Sequence, residues 1–228
     1  MDNIRENVLR VKEAIEKAAQ GIGRDPGEIR LVAASKTVDT DRIRKAVEAG
    51  IGIFGENYVQ EAKRKIEVLR SPVAWHFIGH LQKNKAKYAV KLFEMIESLD
   101  SIGLAEELNR RAGQGGRKMD VLVEVNLSGE TSKWGVGEGE TIPLVCRIND
   151  LENLQFRGLM TMPPYFDDPE DSRPYFTRLR QLGERILKEG VHSGPLELSM
   201  GMSNDFLVAI EEGSTLVRVG TAIFGPRP

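Results

Sequence analysis

The chain has 228 residues, 40% of them hydrophobic, and a net charge of -2 from 32 basic and 34 acidic residues. A chain of this length can bury a full core, and its charge balance supplies no basic field for DNA or an anionic membrane. With one cysteine, a polar N-terminus and no apolar run of membrane-spanning length, the sequence predicts a globular cytoplasmic protein without membrane contact.

Strand and helix patterns alternate along the whole chain. Ile4, Val8 and Val11 open it with the spacing of an amphipathic helix. Apolar segments typical of strands covered on both faces follow at 29–34, 51–54, 74–78, 93–98, 121–126, 154–160, 196–199 and 216–219. Helical patterns lie between them at 39–49, 57–69, 83–90, 102–112, 141–150, 170–189 and 204–212.

Eight such alternations predict an α/β fold, a single-domain (β/α)8 TIM barrel with an extra N-terminal helix. That first helix would fill the place of a helix after the eighth strand. The alternative is an open, doubly wound sheet. No linker or internal repeat divides the chain, so we expect one domain over residues 1–228, with loops at 113–116, 128–140 and 163–169.

Lys36 is the first candidate functional residue, because active sites of TIM barrels lie where the strands end. It directly follows the apolar segment 29–34. Apolar walls at the barrel mouth favour the neutral amine, which can form a Schiff base with an aldehyde. The alternative is a solvated lysine at a strand end.

The ends of the last two strands carry a second group of candidates. Ser203, Gly220 and Thr221 stand where this fold commonly binds phosphate, although helix capping and a turn glycine explain them equally well. Arg218 lies inside a strand expected to be buried, so its guanidinium needs a partner. That partner is either a barrel carboxylate such as Glu124 or a ring nitrogen of a bound cofactor.

Other polar signals are weaker. His76 and His80 are four residues apart on a strand pattern, so we interpret them as a core and a loop histidine without a metal. Cys146 is interpreted as a small buried hydrophobe. The lysines at 83, 85, 87 and 91 are typical of a solvated helix face, and the alternative is a scaffold that binds a partner protein or RNA there.

Six motifs occur in order along the chain. They are AASKT at 33–37, FGENYVQE at 54–61, HFIGHLQKNK at 76–85, GLMTM at 158–162, SMGMS at 199–203 and RVGTAIFG at 218–225. With these motifs the sequence resembles the pyridoxal phosphate homeostasis protein family, also described as proline synthase co-transcribed bacterial homologues. The resemblance runs from about residue 3 to residue 225.

The resemblance implies a barrel similar to the N-terminal domain of alanine racemase, carrying pyridoxal 5′-phosphate (PLP). Lys36 would form the Schiff base with the cofactor. The other implied cofactor-binding residues are Asn57 near the ring, Arg218 at the pyridine nitrogen, and Ser203, Gly220 and Thr221 at the phosphate. No catalytic residue and no metal ligand is implied.

The same resemblance implies cofactor storage and delivery without substantial turnover, with effects on amino-acid and keto-acid pools. Alanine racemase adds a C-terminal β-domain that we expect this chain to lack, and an arginine at the ring nitrogen makes the ring a weaker electron sink. The expected partners are the cofactor and PLP-dependent apoenzymes, with no DNA, and the expected state is a monomer. The alternative function is a PLP-dependent amino-acid racemase.

Overall fold

Parallel strands close into a barrel in the computed structural model, which describes residues 3–130 and 134–226. The strands are β1 (Arg30–Ala34), β2 (Ile53–Glu56), β3 (Ala74–Phe77), β4 (Met95–Leu99), β5 (Met119–Asn126), β6 (Val136–Gly137), β7 (Leu154–Met160), β8 (Glu197–Ser199) and β9 (Leu216–Val219). β6 adds to the end of β5, and the other eight form the ring, which β9 closes on β1. The predicted (β/α)8 barrel is therefore confirmed, and the open sheet is wrong.

Helices cover the outside of the barrel. They are α1 (Ile4–Gly21), α2 (Thr40–Glu48), α3 (Val59–Leu69), α4 (Ala86–Leu92), α5 (Ile102–Gln114), α6 (Glu138–Asn149), α7 (Arg173–Lys188), α8 (Phe206–Glu211) and α9 (Thr221–Phe224). Helix α1 packs against α2, α8 and α9 and buries the predicted apolar stripe, so it fills the place of an eighth outer helix. No helix among the described residues is long and apolar enough to cross a membrane.

The predicted loop at 128–140 is wrong in its second half. Residues 131–133 lie outside the described part of the chain, β6 follows, and α6 begins at Glu138, three residues before the predicted start. The side chain of Glu140 accepts a hydrogen bond from the Gly137 N–H at 3.3 Å, and acidic residues in a first turn favour a helix. Cys146 is exposed and not buried, because α6 turns the face bearing Val145 and Ile148 to the core.

The barrel interior is layered along the strands, because every second side chain of a strand points inward. An apolar layer is formed by Val32, Ile53, Met95, Leu122, Met160 and Leu216. Two residues further along their strands stand the buried charged side chains of Glu97, Glu124 and Arg218. Two positions further along the chain is the barrel mouth, where Lys36 follows β1 and Asn57 follows β2. The strands therefore change from an apolar floor to a polar mouth.

Candidate functional site

Lys36, which follows β1, lies at the barrel mouth next to the residues that follow β9. Closure of β9 on β1 places Lys36 with Gly220 and Thr221 around a cavity of about 30 Å³. Gly220 lies so close to β1 that a Cβ atom there would stand 3.2 Å from the carbonyl oxygen of Ala34. The structure thus brings together three of the predicted site residues from opposite ends of the sequence.

Ser203 joins the same site from the loop after β8. Its Oγ accepts hydrogen bonds from the backbone N–H groups of Gly220 at 3.1 Å and Ala222 at 3.2 Å. The backbone of this loop is fixed in turn, because Asp205 Oδ1 accepts from the Met202 N–H at 2.6 Å. Converging backbone N–H groups and a hydroxyl are the donors that bind a phosphate oxygen.

Arg218 is 3% exposed and lies below the mouth. Its Nη1 donates to Ser199 Oγ at 2.5 Å, and its Nη2 donates to the Thr161 carbonyl oxygen at 2.9 Å. Within the described residues it forms no ion pair with Glu124, so the predicted salt bridge between them is wrong. Burial lowers the pKa of Arg218, while the charges of Glu97 and Glu124 oppose that effect. The two hydrogen bonds use two of the five N–H donors of a guanidinium.

A chain of buried polar groups extends from Arg218 across the barrel. Ser199 Oγ donates to Glu97 Oε2 at 2.5 Å, and the other oxygen of Glu97 lies 2.6 Å from His76 Nδ1. Burial alone would raise the pKa of Glu97, but the hydrogen bond and charge of His76 and the charge of Arg218 hold it below its ordinary value. The prediction that His76 is a core histidine is confirmed. Sequence reasoning missed Glu97, although it stands in an otherwise apolar strand pattern.

The turn that carries Lys36 rests on a second buried cluster, which sequence reasoning also missed. Thr37 adopts a φ of +65°, and its N–H donates to Glu61 Oε1 at 2.7 Å. Lys65 Nζ binds Glu61 at 2.6 Å and Glu56 at 2.7 Å. Burial raises the pKa of Glu56, and the charge of Lys65 opposes it. Because a left-handed conformation is costly for a threonine, these contacts stabilise the turn.

Asn57 lines a second, larger cavity of about 560 Å³. Its position is set by Gly79, where a Cβ atom would stand 2.7 Å from Asn57 Cα. The buried Oδ1 of Asn57 has no hydrogen-bond partner among residues 3–130 and 134–226. The cavity also includes His80, whose ring stacks on Trp134 at a centroid distance of 3.5 Å. The described residues contain no cluster that could hold a metal ion.

Comparison with known proteins identifies the family. The model of the alanine racemase N-terminal domain matches residues 1–228. The pyridoxal phosphate homeostasis protein of Aquifex aeolicus is 46% identical to this chain over 226 residues, which cover 99% of each. The chain belongs to the pyridoxal phosphate homeostasis protein family. The Aquifex protein is named for cofactor homeostasis and not for a reaction.

Solved structures agree with this assignment to the pyridoxal phosphate homeostasis protein family. The PipY protein of Synechococcus elongatus, solved with PLP bound, is 36% identical and superposes with a TM-score of 0.82 over 93% of this chain and 100% of that one. An alanine racemase of Clostridium difficile, 16% identical, superposes with a TM-score of 0.77. This chain spans 58% of that racemase, and the likeness concerns the fold.

Proposed function

We propose that this chain binds PLP at the mouth of the barrel and serves PLP homeostasis by storing and delivering the cofactor. The observation that supports this most is the convergence of Lys36 with Gly220 and Thr221 on one small cavity, with Ser203 held next to them by the hydrogen bond from the Gly220 N–H to its Oγ. The names of the relatives, which describe homeostasis and not a reaction, favour this role over that of an amino-acid racemase.

The residues present fit the chemistry of the cofactor. The Ser203 and Thr221 hydroxyls are donors for the phosphate, and charge-assisted hydrogen bonds of this kind are the strong ones. Gly220 lets the backbone approach the phosphate, and its N–H orients Ser203 by donating to the Oγ of that residue. PLP supplies an aldehyde with which a lysine amine can condense. Lys36 stands beside the phosphate donors, as that chemistry requires.

Arg218 and Asn57 complete the proposed site. Arg218 keeps its positive charge although it is buried, since a guanidinium does not lose its proton in proteins. A cation directed at the pyridine nitrogen disfavours protonation there, which weakens the ring as an electron sink. Asn57 would lie beside the ring, and its Oδ1 has no hydrogen-bond partner within the part of the chain that the structure describes. These residues bind and orient the cofactor without assisting proton removal from a substrate.

We further propose that the 228-residue chain acts as one domain and as a monomer, with PLP-dependent apoenzymes as recipients. The cytoplasm is the proposed location. The continuity of the barrel from α1 to α9 supports a single domain, and the single cysteine suits a reducing compartment.

The test is to load the full chain with PLP, reduce it with borohydride and map the product by peptide mass spectrometry. We expect a phosphopyridoxyl group on Lys36, its loss in Lys36→Ala, and its retention in the matched surface variant Lys83→Ala. A label found mainly on another lysine, or on none, contradicts the proposal.

A further inference from the structure

A basic cavity of about 580 Å³ lies between α4 and α5, apart from the proposed cofactor site. The described residues that line it include four cations, Lys87, Lys91, Arg111 and Arg117, and no carboxylate. The ends of α4 and α5 at this cavity directly precede β4 and β5. The cavity therefore lies at the end of the barrel opposite the mouth, and the proposed cofactor site gives its cations no role.

Two of these cations belong to the helix face that the sequence pattern describes as solvated. Lys87 and Lys91 are four residues apart on α4, so their side chains share one face of the helix. Both are exposed, and neither forms an ion pair within residues 3–130 and 134–226. Lys87 Nζ lies 4.8 Å from the ring centroid of Tyr88, which also lines the cavity. The lysines thus bring positive charge to the cavity without a counter-charge among the described side chains.

The two arginines reach the same cavity from α5 and from the loop after it. Arg117 Nη1 donates to the Val90 carbonyl oxygen at 2.8 Å, and its Nη2 donates to the Phe93 carbonyl oxygen at 3.2 Å. Arg111 Nε donates to Glu107 Oε1 at 2.7 Å. A guanidinium has five N–H donors, so each arginine is held in place and keeps donors beyond these contacts. Side chains fixed in this way lose less freedom when an anion binds.

The fold balances only part of this positive charge. The carbonyl groups at the C-terminal ends of α4 and α5 each carry about half a negative charge. Glu107 is the carboxylate that contacts a cation of the cavity within the described part of the chain, and Arg110 binds it as well. These groups supply about two negative charges, against the four cations that line the cavity. An anion with more than one charge would complete the balance.

We propose that this cavity binds a small oligophosphate, a molecule in which two or more phosphate groups are linked. Guanidinium and ammonium groups are the side chains that recognise phosphate, and closely grouped cations favour an anion with several phosphates over one with a single phosphate. The volume lies in the usual range of small-molecule sites, about 300 to 1,000 Å³. The proposal goes beyond PLP homeostasis, because an oligophosphate at this end of the barrel can bind while the mouth is occupied.

The test is isothermal titration calorimetry of the full chain at pH 7.5 and low ionic strength, where screening of charges is weak. Sodium tripolyphosphate is compared with inorganic phosphate. Each is titrated without PLP and again after PLP loading and borohydride reduction, so that the mouth is empty in one series and occupied in the other. We expect tripolyphosphate to bind at least about tenfold more tightly than phosphate in both series, because it reaches more of the cations.

Lys87→Met combined with Lys91→Met should weaken tripolyphosphate binding about tenfold or more, since two of the four cations are removed. Lys17→Met combined with Lys188→Met is the matched control. It removes the same charge from exposed positions on α1 and α7 outside the cavity, and we expect less than about a twofold change. Arg111→Gln is a second variant, on α5, and should weaken binding in the same direction. Circular dichroism establishes that each variant is folded.

The phosphates can belong to an inorganic oligophosphate or to a nucleoside polyphosphate. Both share the contacts with the cations, and Tyr88 distinguishes them, because a base stacks on an aromatic ring. A nucleoside ligand predicts that uridine triphosphate binds more tightly than tripolyphosphate and loses this advantage in Tyr88→Ala. An inorganic ligand predicts equal affinities and no effect of Tyr88→Ala on either.

Equal affinity for tripolyphosphate and phosphate would overturn the proposal, as would a control variant that weakens binding as much as the loss of Lys87 and Lys91. A labelled octauridylate that binds at least about tenfold more tightly than tripolyphosphate in fluorescence anisotropy would also overturn it, because the surface would then bind RNA. Failure here is distinct from failure of the cofactor proposal. The cavity does not include Lys36, and borohydride labelling of Lys36 does not depend on the lysines of α4.

Discussion

Replacement of Lys65 by Met tests how the turn that carries Lys36 is held. Lys65 is 5% exposed, and its Nζ donates to the Ser35 carbonyl oxygen at 2.6 Å, to Glu56 at 2.7 Å and to Glu61 at 2.6 Å. Methionine has a similar length and no charge. The substitution therefore leaves the fully buried Glu56 without its cation and frees Glu61 from one of its two contacts.

The expected cost follows from the buried carboxylate. Removing one partner of a buried ion pair costs about 3 to 5 kcal/mol. Protonation of Glu56 limits the loss, since burial already raises its pKa and removal of Lys65 raises it further. We expect about 3 kcal/mol at pH 7.5, or about 6 to 12 °C in the unfolding temperature of a chain of this size.

The pH dependence has a definite sign. A carboxylate whose folded-state pKa lies above its unfolded value favours the folded state at low pH and loses that contribution as the pH rises through the folded pKa. The deficit of Lys65→Met should therefore be small near pH 4.5 and grow toward pH 7.5. Glu56→Gln added to Lys65→Met should recover part of the stability, because a neutral amide needs no counter-charge.

Thermal unfolding followed by circular dichroism measures these differences. Lys63→Met is the matched control on the same helix, because Lys63 is half-exposed and lies 3.8 Å from Glu67. Such a surface pair contributes about 0 to 1 kcal/mol. The reasoning is refuted if Lys65→Met unfolds within about 2 °C of the unaltered chain at pH 7.5, or if Lys63→Met is equally destabilised.

Three further outcomes are expected. Replacing both Ser203 and Thr221 by Ala should weaken PLP retention in equilibrium dialysis without loss of the fold, since each hydroxyl contact to phosphate contributes about 1.5 to 3 kcal/mol; unchanged retention would place the phosphate elsewhere. Alanine should show no solvent-deuterium incorporation at Cα by NMR above a Lys36→Ala control, because Arg218 in its proposed place at the ring nitrogen would weaken the electron sink. Rapid exchange that Lys36→Ala abolishes would favour a racemase. Glu124→Gln should raise the free energy of unfolding by about 3 kcal/mol above pH 8 and have little effect below pH 4.5, because the pKa of Glu124 rises to about 7 on folding. Equal effects of that substitution at both pH values in urea titrations would contradict the assigned burial.

Several features of this protein follow from local sequence alone. Helix α1 buries the predicted stripe of Ile4, Val8 and Val11, and β7 spans the predicted residues 154–160, because periods of 3.6 and two residues depend only on neighbouring positions. Lys36 stands at the barrel mouth for the same reason, since the end of an apolar strand is visible in the sequence. The helical pattern predicts the start of α6 three residues too late, because Glu138 and Gly139 do not resemble a helical stripe.

Only the tertiary structure decided which polar groups meet inside the barrel. Arg218 binds Ser199 and the Thr161 carbonyl and does not pair with Glu124, and Lys65 reaches Ser35 across 30 positions of sequence. The contacts of Arg218 depend on the register of β8 against β7 and of β9 against β8, which no local pattern encodes. A shift of one residue in a strand would turn every side chain to the opposite face. The sequence therefore places charged residues at inward-facing strand positions. Closure of the barrel selects their partners and leaves Glu124 without one among residues 3–130 and 134–226.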